Sequence, residues 1–179
     1  MAALLTLARW IDRFTDVFAR IAEVAVIASC AISAGNAVVR YGFDFSSNGW
    51  LEIQWYLFAA CVMLGAAQVL RVNEHVRVDV LYGLYPARAK VLVDLFGLVF
   101  FLVPVMCAML YFSLPLLLRM IASQEMSNNA GGLIRWPAMA MLPLGFGLVL
   151  LQGLSEIVKR VGWLAGRVEM DIHYERPLQ

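Results

Sequence analysis

Four long stretches without a charged side chain dominate the chain. Asp, Glu, Lys and Arg are all absent from residues 24–39, 53–70, 95–118 and 136–155. About 20 helical residues, each rising about 1.5 Å, cross the ~30 Å hydrocarbon core of a bilayer. Because lipid offers no hydrogen-bond partners to open strand edges, helices are the expected structure. The pattern predicts transmembrane helices near residues 21–43, 50–71, 91–118 and 136–158.

The segment before the first predicted span has its own helical periodicity. Apolar side chains recur at spacings of three and four, at Leu4, Leu7, Ile11, Phe14, Phe18 and Ile21. Polar residues such as Arg9, Asp12 and Asp16 fall largely on other faces. This pattern predicts an N-terminal amphipathic helix over residues 1–20 that lies along the membrane interface. Docking on a partner protein would leave the same pattern.

The positions of lysine and arginine predict the orientation of the spans. Of the 14 basic residues, eleven lie in the N-terminal segment, the loop between the second and third spans, and the C-terminal segment. The other two loops and their flanks hold Arg40, Arg119 and Arg135. Since basic residues accumulate on the cytoplasmic side, we expect both termini, including a tail at 169–179, and the loop between the second and third spans on the cytoplasmic side of the membrane.

The overall composition agrees with a membrane protein. Apolar residues make up 62% of the chain and charged residues 15%, against about 45–50% and about 25% in soluble domains. The formal net charge is +1, so no general field attracts nucleic acid, and none is expected as a partner. We predict an all-α integral membrane protein whose residues 1–179 form a single membrane domain.

The sequence lacks the motifs of common enzymes. It has no dinucleotide-binding GxGxxG, no P-loop, no HExxH zinc motif and no GxSxG nucleophile. His75 and His173 fall outside the spans, so the membrane interior has no histidine for haem. The three cysteines lie inside apolar runs. We therefore predict no catalytic, cofactor-binding or metal-binding residue and no enzymatic activity.

Ionisable residues lie near the ends of the predicted spans. Glu23, Asp94 and Glu156 fall near the cytoplasmic ends, whereas Arg40 and Glu52 fall near the outer ends. The middle of each span is uncharged, although secondary transporters commonly bind their substrates at that depth. This distribution favours an accessory subunit over an autonomous carrier.

Helical spacing allows several of these residues to pair. Glu156 lies four positions from Gln152 and from Arg160, so pairing within the helix and contact with a partner are both open. An Arg40–Glu52 ion pair would close the first hairpin. Pairing of these two residues with another subunit is the alternative.

Three local patterns stand at the ends of the predicted spans. Asn36-Ala-Val-Val-Arg40 closes the first span, and Trp50-Leu-Glu52-Ile-Gln-Trp55 opens the second. Leu64-Gly65-Ala66-Ala67 is followed by His75-Val-Arg77-Val-Asp79 in the next loop. Their order and spacing resemble the small membrane subunit of tripartite ATP-independent periplasmic (TRAP) transporters, the DctQ component, from about residue 10 to residue 160.

The resemblance implies a static accessory subunit of a sodium-coupled importer of organic acids. Its partners would be a large DctM-type membrane subunit, a periplasmic DctP-type binding protein and phospholipids. Candidate contacts to a partner subunit, or within the chain, are Asn36, Arg40, Glu52, Trp55, His75, Arg77 and Asp79. Candidate contacts to lipid headgroups are Arg13, Arg20, Arg71 and Lys90.

Two other functions compete with this interpretation. A small homo-oligomeric transporter or channel would use Glu23 as its coupling acid, although Glu23 lies near the interface. A membrane anchor of an oxidoreductase would need haem or quinone ligands that these spans do not supply.

Overall fold

The computed structural model describes residues 2–45, 47–73, 82 and 84–168. Its four long helices are α1 Ala2–Phe43, α2 Asn48–Val72, α3 Ala87–Ser123 and α4 Trp136–Leu164. The shortest, α2, has 25 residues and so extends about 38 Å. All four are long and apolar enough to cross a membrane. The all-α fold with four spans is therefore confirmed, and each predicted span lies inside one of these helices.

α1 is one uninterrupted helix of 42 residues. We expected the amphipathic segment over residues 1–20 to be separate from the first span, but the two are continuous. No proline or glycine occurs between Ala2 and Ser33 to interrupt the backbone hydrogen bonds. The segment also turns its small and polar side inward. Ala8, Thr15 and Ala19 are buried, whereas the apolar stripe that contains Leu7 is largely exposed.

α4 is the central helix of the bundle. It packs against α1, α2 and α3, while α1 and α2 lie side by side as the most extensive helix pair. We call the end where α1 begins and α2 and α4 finish the terminal end. The opposite end, which carries the 44–47 and 124–135 connections, is the loop end.

Small side chains bring the helices close together. Ala22, Leu64, Ala67 and Leu148 form the buried core between α1, α2 and α4. A Cβ atom at Gly145 would lie 2.7 Å from the backbone oxygen of Met63, which is too close for any side chain larger than hydrogen. Glycine at this position therefore permits the close approach of α4 and α2, as small residues do in other membrane proteins.

α3 contains a π-helical turn at Leu98–Leu102, where the Val103 N–H donates to the Leu98 carbonyl. The turn directly precedes Pro104, whose ring has no N–H and would crowd the carbonyl four residues earlier. The wider turn thus accommodates the proline without ending the helix. Next to it, a Cβ at Gly153 of α4 would lie 2.6 Å from Leu102 Cδ2, so this turn also packs tightly on α4.

Large apolar side chains cover much of the outer surface. Ile27, Phe58 and Phe112 are 69%, 62% and 70% exposed, respectively. Soluble proteins rarely expose apolar surface continuously, whereas a bilayer or a partner helix accepts it. The exposed side chains therefore agree with a multi-pass membrane protein.

Candidate functional site

Polar side chains from all four helices meet at the terminal end, in what we call the terminal cluster. On α4, Ser155 and Glu156 lie three and four positions after Gln152, and Lys159 lies three positions after Glu156, so all four share one face. The cluster comprises Asp12, Thr15, Asp16, Arg71, Asp94, Gln152, Ser155, Glu156, Lys159 and Arg160.

Neutral groups form the interior of the terminal cluster. Gln152 is fully buried, and its Oε1 accepts a 2.9 Å hydrogen bond from the Thr15 hydroxyl. Its Nε2 donates to Asp12 Oδ1 at 3.0 Å and to Glu156 Oε1 at 3.2 Å. The Ser155 hydroxyl also lies 2.9 Å from Asp12 Oδ1. A buried polar group is costly unless it is bonded, and these amide and hydroxyl groups bond to each other or to the Asp12 and Glu156 carboxylates.

Two cations link the carboxylates of the terminal cluster. Lys159 Nζ lies 2.7 Å from Asp12 Oδ2 and 2.8 Å from Glu156 Oε1. Arg160 Nη1 lies 2.5 Å from Glu156 Oε2, and its Nη2 lies 3.3 Å from Asp94 Oδ2. Glu156, which is 4% exposed, is thus held between two cations. Lys159 also binds Asp12 of α1 and Arg160 also binds Asp94 of α3, so Glu156 is connected through these two cations to both helices.

Arg71 connects α2 to the same cluster. Its Nη2 lies 2.5 Å from Asp16 Oδ1, and its Nη1 donates to the Asp12 backbone carbonyl at 3.1 Å. We expected Arg71 to contact lipid headgroups. Its guanidinium binds the first half of α1, because that half runs alongside the last turn of α2, and its contact with lipid headgroups stays a prediction.

A second buried carboxylate, Glu52, organises the loop end. Glu52 is 2% exposed. Its Oε1 accepts from the Ser127 hydroxyl and, at 2.8 Å, from Asn129 Nδ2, and its Oε2 accepts from the Leu133 N–H at 2.6 Å. We call this group the Glu52 cradle. Charge-assisted hydrogen bonds to a carboxylate are stronger than neutral ones, so the cradle fixes the 124–135 loop on α2.

The loop has further internal support. Ser127 N–H donates to the Leu133 carbonyl at 2.9 Å, and Met126 and Ile134 form an antiparallel bridge. The Tyr56 hydroxyl of α2 donates to the Ile134 carbonyl at 2.8 Å. Beside the cradle lies a cavity of about 490 Å³, with Glu52 and Tyr56 among its lining residues.

Arg40 and Glu52, which flank the connection between α1 and α2, do not form an ion pair with each other. Arg40 is exposed and Glu52 is held by the loop, so no Arg40–Glu52 ion pair occurs among the residues described. Asn36 is half-buried, and Trp55 is 66% exposed. The alternative of contact with another subunit stays a prediction for Asn36, Arg40 and Trp55.

The remaining predicted contacts lie at the terminal end or outside the described residues. Arg13 stacks over the Trp10 ring at 5.7 Å, and Lys90 stacks over Tyr82 at 5.6 Å. Arg20 is exposed. His75, Arg77 and Asp79 lie outside the described residues, as does the tail at 169–179.

Several cluster residues were not predicted from the sequence. The pairing of Glu156 with Gln152 and Arg160 was anticipated from their spacing, but Asp12, Thr15 and Lys159 were not assigned to any buried site. The polar repeat of Gln152, Ser155, Glu156 and Lys159 is a usable signal, because a polar stripe on a membrane helix needs a partner face.

The terminal cluster is not arranged as a metal site. Across residues 2–45, 47–73, 82 and 84–168, no three or more His, Cys, Asp and Glu side chains are placed to hold a metal ion. Lys159 and Arg160 instead occupy the positions around the carboxylates where a cation would bind.

A comparison with known protein families shows which family the chain belongs to. Residues 29–162 match the model for "Tripartite ATP-independent periplasmic transporters, DctQ component". The chain belongs to this family. The match runs from the middle of α1 nearly to the end of α4, so it includes Glu52, Glu156 and Arg160 but not Asp12 or Thr15. Searches of curated proteins and of solved structures found no significant match.

Membership of the DctQ family makes this chain a TRAP transporter small subunit. Such a chain is a transporter component. The resemblance noted in Asn36 to Arg40 and in Trp50 to Trp55 lies inside the matched region, so the recognition made from the sequence is confirmed.

Proposed function

We propose that this chain is the scaffold subunit of a sodium-coupled importer of organic acids. In this proposal it stabilises a DctM-type large subunit, which carries the substrate and ion sites, and a DctP-type binding protein delivers the substrate. The chain itself has no catalytic role and needs no cofactor. Its location is the bacterial inner membrane.

One observation supports the proposal: among the described residues, the buried charged side chains are bonded to other groups of the same chain. Glu156 is neutralised by Lys159 and Arg160, and Glu52 accepts three hydrogen bonds from a loop. A coupling carboxylate must release and rebind its ion during transport, whereas these groups hold helices and a loop in place. Glu23 is exposed on α1, so this chain by itself does not enclose it in a cavity.

The terminal cluster supports the static character of the scaffold. It joins α1, α2, α3 and α4 through ion pairs at one end of the bundle. Removing one partner from a buried pair is strongly destabilising. Relative motion of these helices would break the pairs, so this chain suits the fixed part of a transporter.

Reconstitution tests the proposal directly. Vesicles with the small subunit, the large subunit and the binding protein are expected to accumulate an organic acid in response to an inward sodium gradient. Vesicles that contain this chain alone are expected to show no uptake. Uptake by this chain alone would overturn the scaffold assignment, and sodium-independent uptake by the full set would overturn the coupling.

The orientation is proposed from the charge distribution. Eleven of the 14 basic residues lie in the N-terminal segment, the C-terminal segment or the loop between α2 and α3. We therefore place the terminal end of the bundle on the cytoplasmic side. Exposed Arg13 and Arg20, together with Lys90, are then available to phospholipid headgroups. A reporter that is active only in the periplasm, fused after Gln179, is expected to be inactive. Activity of that fusion would reverse the orientation.

A further inference from the structure

The outer half of α1 carries a groove that the rest of the described chain does not fill. Ala31, Gly35, Asn36 and Val39 line it on α1, and Phe45 and Trp50 flank it. The cavity measures about 450 Å³. A Cβ built on Gly35 would have no atom within 4 Å, so the floor of the groove faces open space within this chain.

Two polar side chains lie at or near the groove: Asn36 lines it, and Arg40 follows one turn later on α1 without lining it. Asn36 is half-buried and Arg40 is exposed, and neither makes a side-chain hydrogen bond or ion pair with the described residues. The two residues are four apart, so they lie on the same helix face. Asn36 is seven residues before the end of α1 at Phe43, which places it about 10 Å inside that end.

The unpaired Asn36 amide distinguishes among occupants of the groove. Lipid tails offer neither a donor nor an acceptor, so a lipid-filled groove leaves this amide unsatisfied within the hydrocarbon core. A second transmembrane helix supplies backbone or side-chain partners, and polar side chains bond across helices in membranes. Glycine and alanine on the groove floor allow such a helix to approach closely. Arg40, one turn nearer the surface, would complement an acidic side chain near the outer end of that helix.

We propose that this groove, which we call the α1 groove, receives a transmembrane helix of the DctM-type large subunit. The inference rests on the proposed function, which requires a large membrane partner, and adds the face on which that partner docks. The docking helix bonds to the Asn36 amide and carries a carboxylate near Arg40. Trp50 and Phe45 pack along its outer turns.

Matched leucine substitutions test the position of the docking face. Gly35→Leu fills the groove, while Ala34→Leu places the same side chain on an exposed neighbouring position that does not line it. Tagged variants are co-expressed with the DctM-type large subunit, extracted in mild detergent and purified. We expect Gly35→Leu to lower large-subunit recovery by about tenfold or more and Ala34→Leu to match the wild type. Equal recovery with both variants would overturn the groove assignment.

The polar contact has a smaller expected effect. An interhelical hydrogen bond contributes about 0.6–2 kcal/mol in membranes, so Asn36→Leu should reduce recovery of the large subunit by about three- to thirtyfold. Arg40→Glu should reduce it as well, and an acidic-to-basic change near the outer end of the docked helix should restore it. Full recovery with Asn36→Leu would show that the amide makes no contact with the large subunit.

Photo-crosslinking identifies the occupant even if a variant assembles poorly. A photoreactive amino acid at position 35 is expected to form an adduct with the large subunit, and one at position 34 is not. An adduct with lipid alone, or with a second copy of this chain, would overturn the proposal. If the wild-type chain recovers no large subunit at all, the proposed function itself fails. If it recovers the large subunit but position 35 does not crosslink to it, only the α1 groove is wrong.

Discussion

The two ends of the bundle handle buried carboxylates in different ways. At the terminal end, Glu156 is neutralised by Lys159 and Arg160, and the resulting ion pairs extend to α1 and α3. At the loop end, Glu52 has no cation in its cradle and accepts hydrogen bonds from a hydroxyl, an amide and a backbone N–H. The first arrangement joins helices, and the second shapes a loop.

This difference follows from what each end must hold. Packed helices present long side chains to one another, so lysine and arginine can bridge carboxylates across several angstroms. A short loop instead presents backbone N–H groups and small polar side chains, which converge on one acceptor. The cradle therefore orders one loop, whereas the cluster sets the relative positions of four helices. Mutations at the two ends should differ in both the size and the extent of their effects.

The largest effect is expected for Glu156→Leu. The substitution leaves Arg160 and Lys159 in a buried site with only part of their counter-charge, and breaking such a pair costs about 3–5 kcal/mol. The free energy of unfolding can be measured by tryptophan fluorescence in detergent titrated with SDS. A loss below about 1 kcal/mol, as is typical of exposed pairs, would show that the cluster does not hold the bundle together.

Glu52→Gln should produce a more local change. One carboxylate oxygen becomes an NH2 group, which cannot accept from the loop donors, so the 124–135 loop should open more often. Hydrogen exchange is expected to accelerate by about tenfold in residues 127–133 while the centre of α4 stays protected. Faster exchange throughout α1 and α4 would instead mean that the cradle supports the whole bundle.

Gly132→Ala tests how closely the loop fits over Glu52. The new Cβ would lie 2.6 Å from Ser127 Cβ and 2.9 Å from Glu52 Oε1, so the cradle must shift. We expect a loss of about 1–3 kcal/mol in the free energy of unfolding, as for other overpacked sites. The control is Gly131→Ala, where φ is +70° but no atom lies within 4 Å of the Cβ. Its expected loss is about 1–2 kcal/mol, due to backbone strain alone.

If Gly131→Ala were the more damaging of the two, the cradle would depend on loop conformation rather than on close packing. The same unfolding titration measures both variants, and wild-type stability provides the common reference.

The smallest effect is expected for Glu125→Gln. Glu125 and Arg135 form a 2.5 Å ion pair, but their side chains are 42% and 46% exposed. Solvent screens such pairs, so the free energy of unfolding should fall by about 1 kcal/mol or less. The contrast with Glu156→Leu is expected because Glu156 is 4% exposed, whereas the Glu125 side chain is 42% exposed. A loss as large as that of Glu156→Leu would show that the loop pair is structurally essential.

The sequence by itself determined the four spans. Hydropathy and the absence of charge are properties of consecutive residues, and the helix starting at Trp136 begins where it was predicted. Spacing within one helix likewise anticipated the contacts of Glu156 with Gln152 and Arg160. The absence of a proline or glycine near residue 20 also foretells the continuity of α1, although the change from amphipathic to apolar periodicity suggested a boundary there.

Only the tertiary structure decided which helix faces meet. Asp12 bonds with Lys159 across 147 positions of sequence, and Glu52 bonds with Leu133 across 81 positions, instead of pairing with Arg40. A local pattern shows that a helix has a polar side, but the rotation and axial position of each helix select its partner. Those two quantities depend on the close packing of residues such as Gly145 against Met63, which no single helix specifies alone.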